Sequence, residues 1–208
     1  PGPVTEGAPP IPPLGQRIAV AADTAFAFAY PATLAGWRAA GAELSTFSPL
    51  ADEGPAADAD AVFLPGGYPD LHAGRLAANS RFLGRLRAAA GRGATLYGEC
   101  GGYMVLGAGL ADAEGARHAM AGLLPLESSF ARPRLTLGYR VVATVGADAP
   151  LGADGFRGHE FHYAVFEEGK GEPLFRARDA RAVDLGEAGR RRGTVMGSFV
   201  HLIDRDEG

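Results

Sequence analysis

Between Arg17 and Leu110 the chain alternates short apolar runs with amphipathic stretches, and glycines, often paired, close the runs. That alternation constrains the fold more than any other feature. RIAVAAD (17–23) is a short apolar strand ending in a polar turn. YPATLAGWRAAGA (30–42) carries Leu34 and Trp37 at helical spacing and stops at Gly41. AELSTFS (42–48) and DAVFLPGG (60–67) read as the next strands, the latter ending abruptly in Pro-Gly-Gly. RLAANSRFLGRLRAAAGRG (75–93) is an amphipathic helix with Leu76, Phe82, Leu83 and Leu86 on one side. ATLYGEC (94–100) is a fourth strand and GGYMVLGAGL (101–110) a helix. Strands alternating with helices build a parallel, doubly wound α/β sheet, which binds ligands at the carboxyl ends of its strands.

After residue 117 the pattern changes. MAGLLPLESSF (120–130), RLTLGYRVVATV (134–145), FRGHEFHYAVFE (156–167) and TVMGSFVH (194–201) read as strands with few helices between them. The expectation is that they extend the same sheet in antiparallel fashion, within one domain (17–208). Arg190-Arg191-Arg192 follows Gly186, Glu187 and Gly189 and reads as a solvated turn, not a nucleic-acid contact. Residues 1–16 contain six prolines and read as an extended linker, so this chain is expected to be one domain of a longer polypeptide. No apolar run reaches 18 residues and no signal-peptide pattern is present, so a cytoplasmic setting without membrane contact is expected.

The sharpest local feature is Gly98-Glu99-Cys100-Gly101-Gly102, with an apolar strand running in and an apolar helix running out. This is the form of a nucleophile elbow. A nucleophile on so tight a turn needs small neighbours. The helix N-terminus is expected to favour the Cys100 thiolate, and the Gly101 N–H faces any oxyanion formed on an attacked carbonyl. Cys100 is the only cysteine, so no intramolecular disulfide forms. Gly66 and Gly67, at the end of the neighbouring strand, leave backbone N–H groups free to line the same crevice and supply a second oxyanion donor.

A thiol nucleophile needs a base that takes its proton and returns it to the leaving group. Of five histidines, His201 follows an apolar strand and is placed to meet Cys100. His159 and His162 are three residues apart in GHEFHY. On a strand they face opposite ways, so a shared metal site is not expected. His72 and His118 read as surface loop residues.

Taken in order, LPGGYPDLHA, YGECGGYMVLG, MAGLLP, RLTLGYR, RGHEFHY and GSFVHL resemble the class I glutamine amidotransferase domain of cobyrinic or hydrogenobyrinic acid a,c-diamide synthase. The likeness runs from about Arg17 to His201. It implies a flavodoxin-like fold, a Cys100 nucleophile working with His201, and hydrolysis of glutamine to glutamate and ammonia through a cysteine thioester. It also implies a separate N-terminal synthetase domain that uses ATP and Mg²⁺ to activate the a and c carboxylates of the corrin ring in cobalamin biosynthesis. This chain has no G-x-x-x-x-G-K-[ST], and its single lysine, Lys170, precedes Gly171-Glu172. The ATP half is therefore expected outside it, and no cofactor or metal is expected within it. A homodimer is a further candidate assembly. Many relatives carry Glu two residues after the histidine; here that position is Ile203. The group orienting His201 stays open among Glu99, Glu160 and Asp204, with His159 as a further supporting residue. The alternatives are the domain of a cobyric acid synthase-type ligase, a non-catalytic module of the same fold, or a cysteine hydrolase acting on another substrate.

Overall fold

The computed structural model describes residues 9, 11–146, 151–152 and 155–206. Five parallel strands form one half of a ten-stranded sheet: β1 (Arg17–Ala21), β2 (Glu43–Phe47), β3 (Ala61–Leu64), β4 (Thr95–Glu99) and β13 (Val195–Ser198), in the order β2-β1-β3-β4-β13. All four residues of β3 are buried, as a parallel strand covered on both faces requires. Helix α1 (Pro31–Ala39) covers one face through Trp37. On the other lie α2 (Ala73–Ala78), α3 (Ser80–Gly91) and α4 (Gly101–Leu106). Helix α3 buries Phe82, Leu83, Leu86 and Ala89, the 3-4 spacing of one helical face. Strand residues divide between the two cores with period two: Val62, Leu64 and Leu96 face the α2–α4 side, Ala61, Phe63 and Tyr97 the α1 side.

The other half of the sheet is antiparallel. It continues from β13 through β12 (Asp184–Arg192), β11 (Glu172–Asp179), β8 (Thr136–Thr144), β9 (Gly155–His162) and β14 (His201–Arg205). Strands β13 and β14 thus stand five positions apart in the sheet, about 24 Å if it were flat. Only Phe199 and Val200 separate them in sequence, a link that spans roughly 10 Å. The antiparallel half therefore rolls back over the α1 face. Its Val142, Phe156, Leu174, Phe175 and Leu202 join the core built on Ile18, Trp37 and Phe63. The roll returns β14 to the carboxyl end of the parallel strands.

Several sequence expectations need correction. The strands after residue 117 do not all extend one sheet. β7 (Leu126–Ser129) and β10 (Val165–Glu168) join β5 (Gly109–Ala111) and β6 (Arg117–Ala119) in a separate four-stranded sheet. The 156–167 strand is broken after His162 because its two parts pair in different sheets. The 101–110 helix ends at Leu106, where Gly107 turns the chain into β5. The 75–93 helix is two helices parted at Asn79, whose side-chain amide donates to the Pro49 carbonyl at 2.7 Å. The 194–201 strand ends at Ser198, and His201 opens a new strand instead of closing an old one. Arg190 and Arg191 are not in a solvated turn but in β12, a strand the glycines at 186 and 189 conceal. Arg190 pairs with Glu168 at 3.2 Å and Arg191 with Glu172 at 2.7 Å.

Residues 1–8 and 10 of the proline-rich segment lie outside the described residues. Its last part packs on the domain: Ile11 and Leu14 are buried, and the Trp37 indole N–H donates to the Ile11 carbonyl at 3.0 Å. Among the described residues no helix is long and apolar enough to cross a membrane.

Candidate active site

The elbow has the expected geometry. Cys100 sits between β4 and α4 at φ 47° and ψ −103°, a backbone conformation rare outside glycine. Such a residue costs about 1–3 kcal/mol, which the surrounding packing must offset. The packing is close. A Cβ on Gly98 would stand 2.7 Å from the Tyr103 nitrogen, and one on Gly102 would stand 1.9 Å from the Leu64 carbonyl oxygen. A Cβ on Gly101 would meet Pro69 Cδ at 2.8 Å and the Gly67 nitrogen at 3.1 Å. The elbow glycines are thus demanded by close approach, and the last contact sets the Gly67 amide beside the start of α4. The Cys100 N–H donates to the Ser198 carbonyl of β13 at 2.8 Å, locking the turn to its neighbouring strand.

Five elements close over this point. Cys100 Sγ lies 3.9 Å from the Phe161 carbonyl oxygen on β9. His201, at the start of β14, pairs in register with His159 of β9, and the two imidazoles stack with centroids 4.9 Å apart and planes 6° apart. Tyr30, from the loop after β1, hydrogen-bonds His159 Nε2 through its hydroxyl at 2.7 Å. Gly66 lies against the edge of the His201 ring: a Cβ there would stand 2.4 Å from Cε1. Glu99, the last residue of β4, brings Oε2 to 3.6 Å from His201 Nδ1. Tyr30, His159, Phe161 and His201 line a cleft of about 400 Å³ together with Phe28.

Burial sets the charge states. It pushes the Cys100 thiol up to about 12, aided by the carboxylates of Glu99, Glu160 and Asp70, while the Gly101 N–H acts the other way. The expectation of a resting thiolate is therefore wrong. The single N–H of the helix terminus does not outweigh desolvation and three nearby acids. Burial also lowers His201 to about 4, with His159 and His162 adding to the effect. It raises Glu99 to about 8, against the Leu202 N–H and the Tyr97 hydroxyl, which favour its carboxylate. Burial thus favours the neutral thiol of Cys100 and the neutral imidazole of His201. Such a pair works by general-base transfer at the moment of attack, not through a standing ion pair.

Other sequence candidates fall in different places. The Glu160 carboxylate pairs with Arg140 at 2.5 Å and stands 3.7 Å from His162 Nε2, so it belongs to a network behind β9. Asp204 is exposed and its carboxylate accepts from the Arg205 N–H at 2.8 Å. Ile203 is 45% exposed. His162 is buried against Phe199 at 4.3 Å, facing away from its partner at 159. His118 is in β6, not a loop, and contacts Asp112 at 2.7 Å. His72 closes a short 3-10 turn at Pro69–His72. Gly67 holds a second constraint that spacing did not show. Its Cβ would stand 2.1 Å from the Ala25 carbonyl oxygen, so the β3 turn and the β1 loop touch through backbone alone. Tyr30 and Phe28 went unnoticed in the sequence. The available signal was their position in the loop leaving the first parallel strand, on the ligand side of such sheets.

The chain matches the model of the CobB/CobQ-like glutamine amidotransferase domain over residues 17–207. It belongs to that family. Relatives carrying the name hydrogenobyrinate a,c-diamide synthase are 61% identical in Brucella abortus, over 92% of this chain and 44% of the relative. In Rhizobium meliloti the identity is 56%, over 98% and 47%. The chain therefore spans less than half the length of these curated relatives. The structure of PurLQS from Thermotoga maritima aligns with a TM-score of 0.60 at 19% identity, covering 89% of this chain and 86% of that one. A glutamine amidotransferase from the same organism aligns with a TM-score of 0.56 at 15% identity, over 89% and 75%. These likenesses establish the amidotransferase fold, a parallel core with an antiparallel extension. The Cys100 elbow thus lies in a glutamine amidotransferase domain.

Proposed function

We propose that this domain hydrolyses glutamine at Cys100 and feeds the ammonia to a synthetase domain that amidates the a and c carboxylates of hydrogenobyrinic or cobyrinic acid. The observation that carries the chemistry is the strained Cys100 elbow, whose neighbour Glu99 brings its carboxylate to 3.6 Å from Nδ1 of the buried His201. His201 takes the thiol proton as Sγ attacks the side-chain carbonyl carbon of glutamine. The carbonyl oxygen gains charge and turns to the N–H groups of Gly101 and Gly67. One donor of this kind is worth roughly 3–4 kcal/mol of barrier. Collapse breaks the C–N bond, and the proton on His201 leaves with ammonia. Water, deprotonated by His201, then cleaves the thioester, releasing glutamate and restoring the thiol.

The acceptor assignment is supported by the relatives' names and by the length they have beyond this domain. In this reading ATP and Mg²⁺ bind the other part of the polypeptide and take no part in steps at Cys100. The cobyric acid synthase type of ligase is the competing assignment within the family. The test is glutamate release from glutamine, with Cys100→Ala as control, followed by ammonia-dependent amidation in the full-length enzyme. Cys100→Ala should abolish the first and leave the second. Glutamine hydrolysis surviving Cys100→Ala refutes the nucleophile. A full-length enzyme that amidates only other carboxylates refutes the acceptor.

A further inference from the structure

We propose that Glu99, the residue immediately before the nucleophile, is the positioning acid of His201, taking the place of the carboxylate that Ile203 lacks. The inference rests on the glutaminase reading of Cys100 and His201 and adds the group that fixes the imidazole.

Geometry carries it. Glu99 is 2% and His201 3% exposed, so neither can turn to solvent for a partner. Glu99 Oε2 and His201 Nδ1 face each other at 3.6 Å. Neither atom has a hydrogen-bond partner among the described residues. Two buried polar atoms without partners represent a cost of roughly 1–3 kcal/mol each unless they serve one another. The separation exceeds a hydrogen bond by about 0.5 Å, the slack expected before substrate closes the site. The competing acids are committed elsewhere: Glu160 to Arg140, and Asp204 to the Arg205 amide on the exposed side of β14. Glu99 and Cys100 are adjacent, so one rigid turn fixes both the nucleophile and the acid that holds its base.

The protonation logic gives the proposal a signature. With Glu99 ionised, His201 donates Nδ1–H to it and leaves Nε2 free as the base. With Glu99 protonated, the carboxyl donates to Nδ1 and the proton of the neutral ring moves to Nε2, the wrong tautomer for taking a proton from the thiol. Glu99 titrates at about 8, so this switch falls within an accessible pH range. The groups facing the pair are Tyr97 of β4 and Tyr30 of the β1 loop, His159, Glu160 and His162 of β9, and Cys100 itself. Of these, burial keeps His159 neutral and pushes both tyrosines and the thiol above their ordinary values, while Glu160 stays ionised beside Arg140. Glu99 is thus the group whose ionisation changes the ring's tautomer near pH 8.

The experiment is ¹⁵N NMR of the His201 ring from pH 6 to 9.5 in the wild-type chain and in Glu99→Gln, with glutaminase rates across the same range. The expected result is a change from the Nε2–H to the Nδ1–H tautomer with rising pH in the wild type, absent in Glu99→Gln. The rate constant kcat should rise through the same interval and fall roughly 10²–10⁴-fold in Glu99→Gln with little change in KM. Glu99→Asp, which keeps a shorter carboxylate, should retain the tautomer change and part of the rate. A wild-type ring that keeps one tautomer throughout overturns the proposal, whether or not Glu99→Gln folds. So does a folded Glu99→Gln protein with wild-type kcat and pH profile. The NMR readout needs no turnover. A tautomer change in a protein that hydrolyses no glutamine supports the Glu99 contact and refutes only the glutaminase reading.

Discussion

Replacing Gly66 by alanine adds one methyl group and tests whether the base must stand where it does. The added Cβ would lie 2.4 Å from His201 Cε1, with Nδ1 at 3.3 Å and Nε2 at 3.4 Å, so it meets the ring edge-on. Carbon atoms settle at about 3.5–4.0 Å, so the ring must withdraw by about 1 Å or more. Its face is already covered by His159, whose ring is held in turn by Tyr30. A displacement near 1 Å in a catalytic group costs about 10²-fold in rate. The fold has less at stake, because the obstacle is a side chain and not backbone. Overpacking of this kind costs about 1–3 kcal/mol. Glutaminase kcat in Gly66→Ala should therefore drop about 10²-fold while far-ultraviolet circular dichroism stays unchanged and the melting temperature falls by only a few degrees. Covalent capture of Cys100 by a glutamine-like electrophile should slow in parallel. A folded Gly66→Ala protein that turns over glutamine at the wild-type rate would show that the ring's position is not what limits the chemistry.

Further outcomes follow from the same geometry. A diazo-ketone analogue of glutamine should leave one adduct, on Cys100, by peptide mapping. With the thiol near 12, alkylation by the neutral reagent iodoacetamide should be slow at pH 7 and still accelerate above pH 9; a plateau by pH 8 would contradict a neutral resting thiol. Gly67→Val should lower the melting temperature as well as the activity, since a side chain there strikes the Ala25 backbone; an unshifted melting curve would argue against that contact. Between pH 6.5 and 8 the folded state holds a Glu99 proton that the unfolded chain, at 4.5, has released. Stability should thus decline as pH rises across this window, on the order of a few kcal/mol at full extent, and Glu99→Gln should flatten the slope in chemical denaturation. Below pH 6.5 the lowered His201 works in the opposite sense, because the unfolded chain binds its proton first, so from about 4.5 to 6.5 the two slopes largely cancel in the wild type and Glu99→Gln should leave stability rising with pH there. Ile203→Glu should leave glutaminase activity within about twofold, because position 203 is half-exposed and the buried imidazole has its acid on the other side.

Local signals made the parallel half of the fold legible. Strands β1, β3 and β4 are apolar runs closed by turns, and the Gly-x-Cys-Gly-Gly string has few structural uses other than an elbow. His201 was legible from its place after an apolar strand, and the family likeness pointed to the same residue. Strands β11 and β12 were missed because charged and glycine residues hide their alternation: Arg176, Arg178, Glu187 and Arg190 occupy a surface that solvent and ion pairs satisfy. The separate small sheet was missed because pairing partners such as Gly109 and Glu127 are set by tertiary approach, not by sequence period. At the site, the sequence offered Glu99 only as one of three open candidates for orienting His201 and did not single out Tyr30. Only the return of β14, which the sequence does not show, puts His201 within 3.6 Å of Glu99 and so separates it from Glu160 and Asp204. The charge state of Cys100 was misread for a related reason. A helix terminus can be seen in sequence, but the depth at which it is buried cannot.

The two-residue link between β13 and β14 has a kinetic consequence. The elbow around Cys100 is locked by β13, a strand from the far end of the sequence whose Ser198 carbonyl takes the Cys100 N–H. His201 follows directly, but it arrives only when the antiparallel strands β8, β9, β11 and β12, most of them paired with neighbours close in sequence, have rolled the final strand home. The last strands of the chain therefore complete both the nucleophile's turn and its base. A chain caught partway carries a cysteine without its proton acceptor, and reactivity at that sulfur reports completion of the last strand.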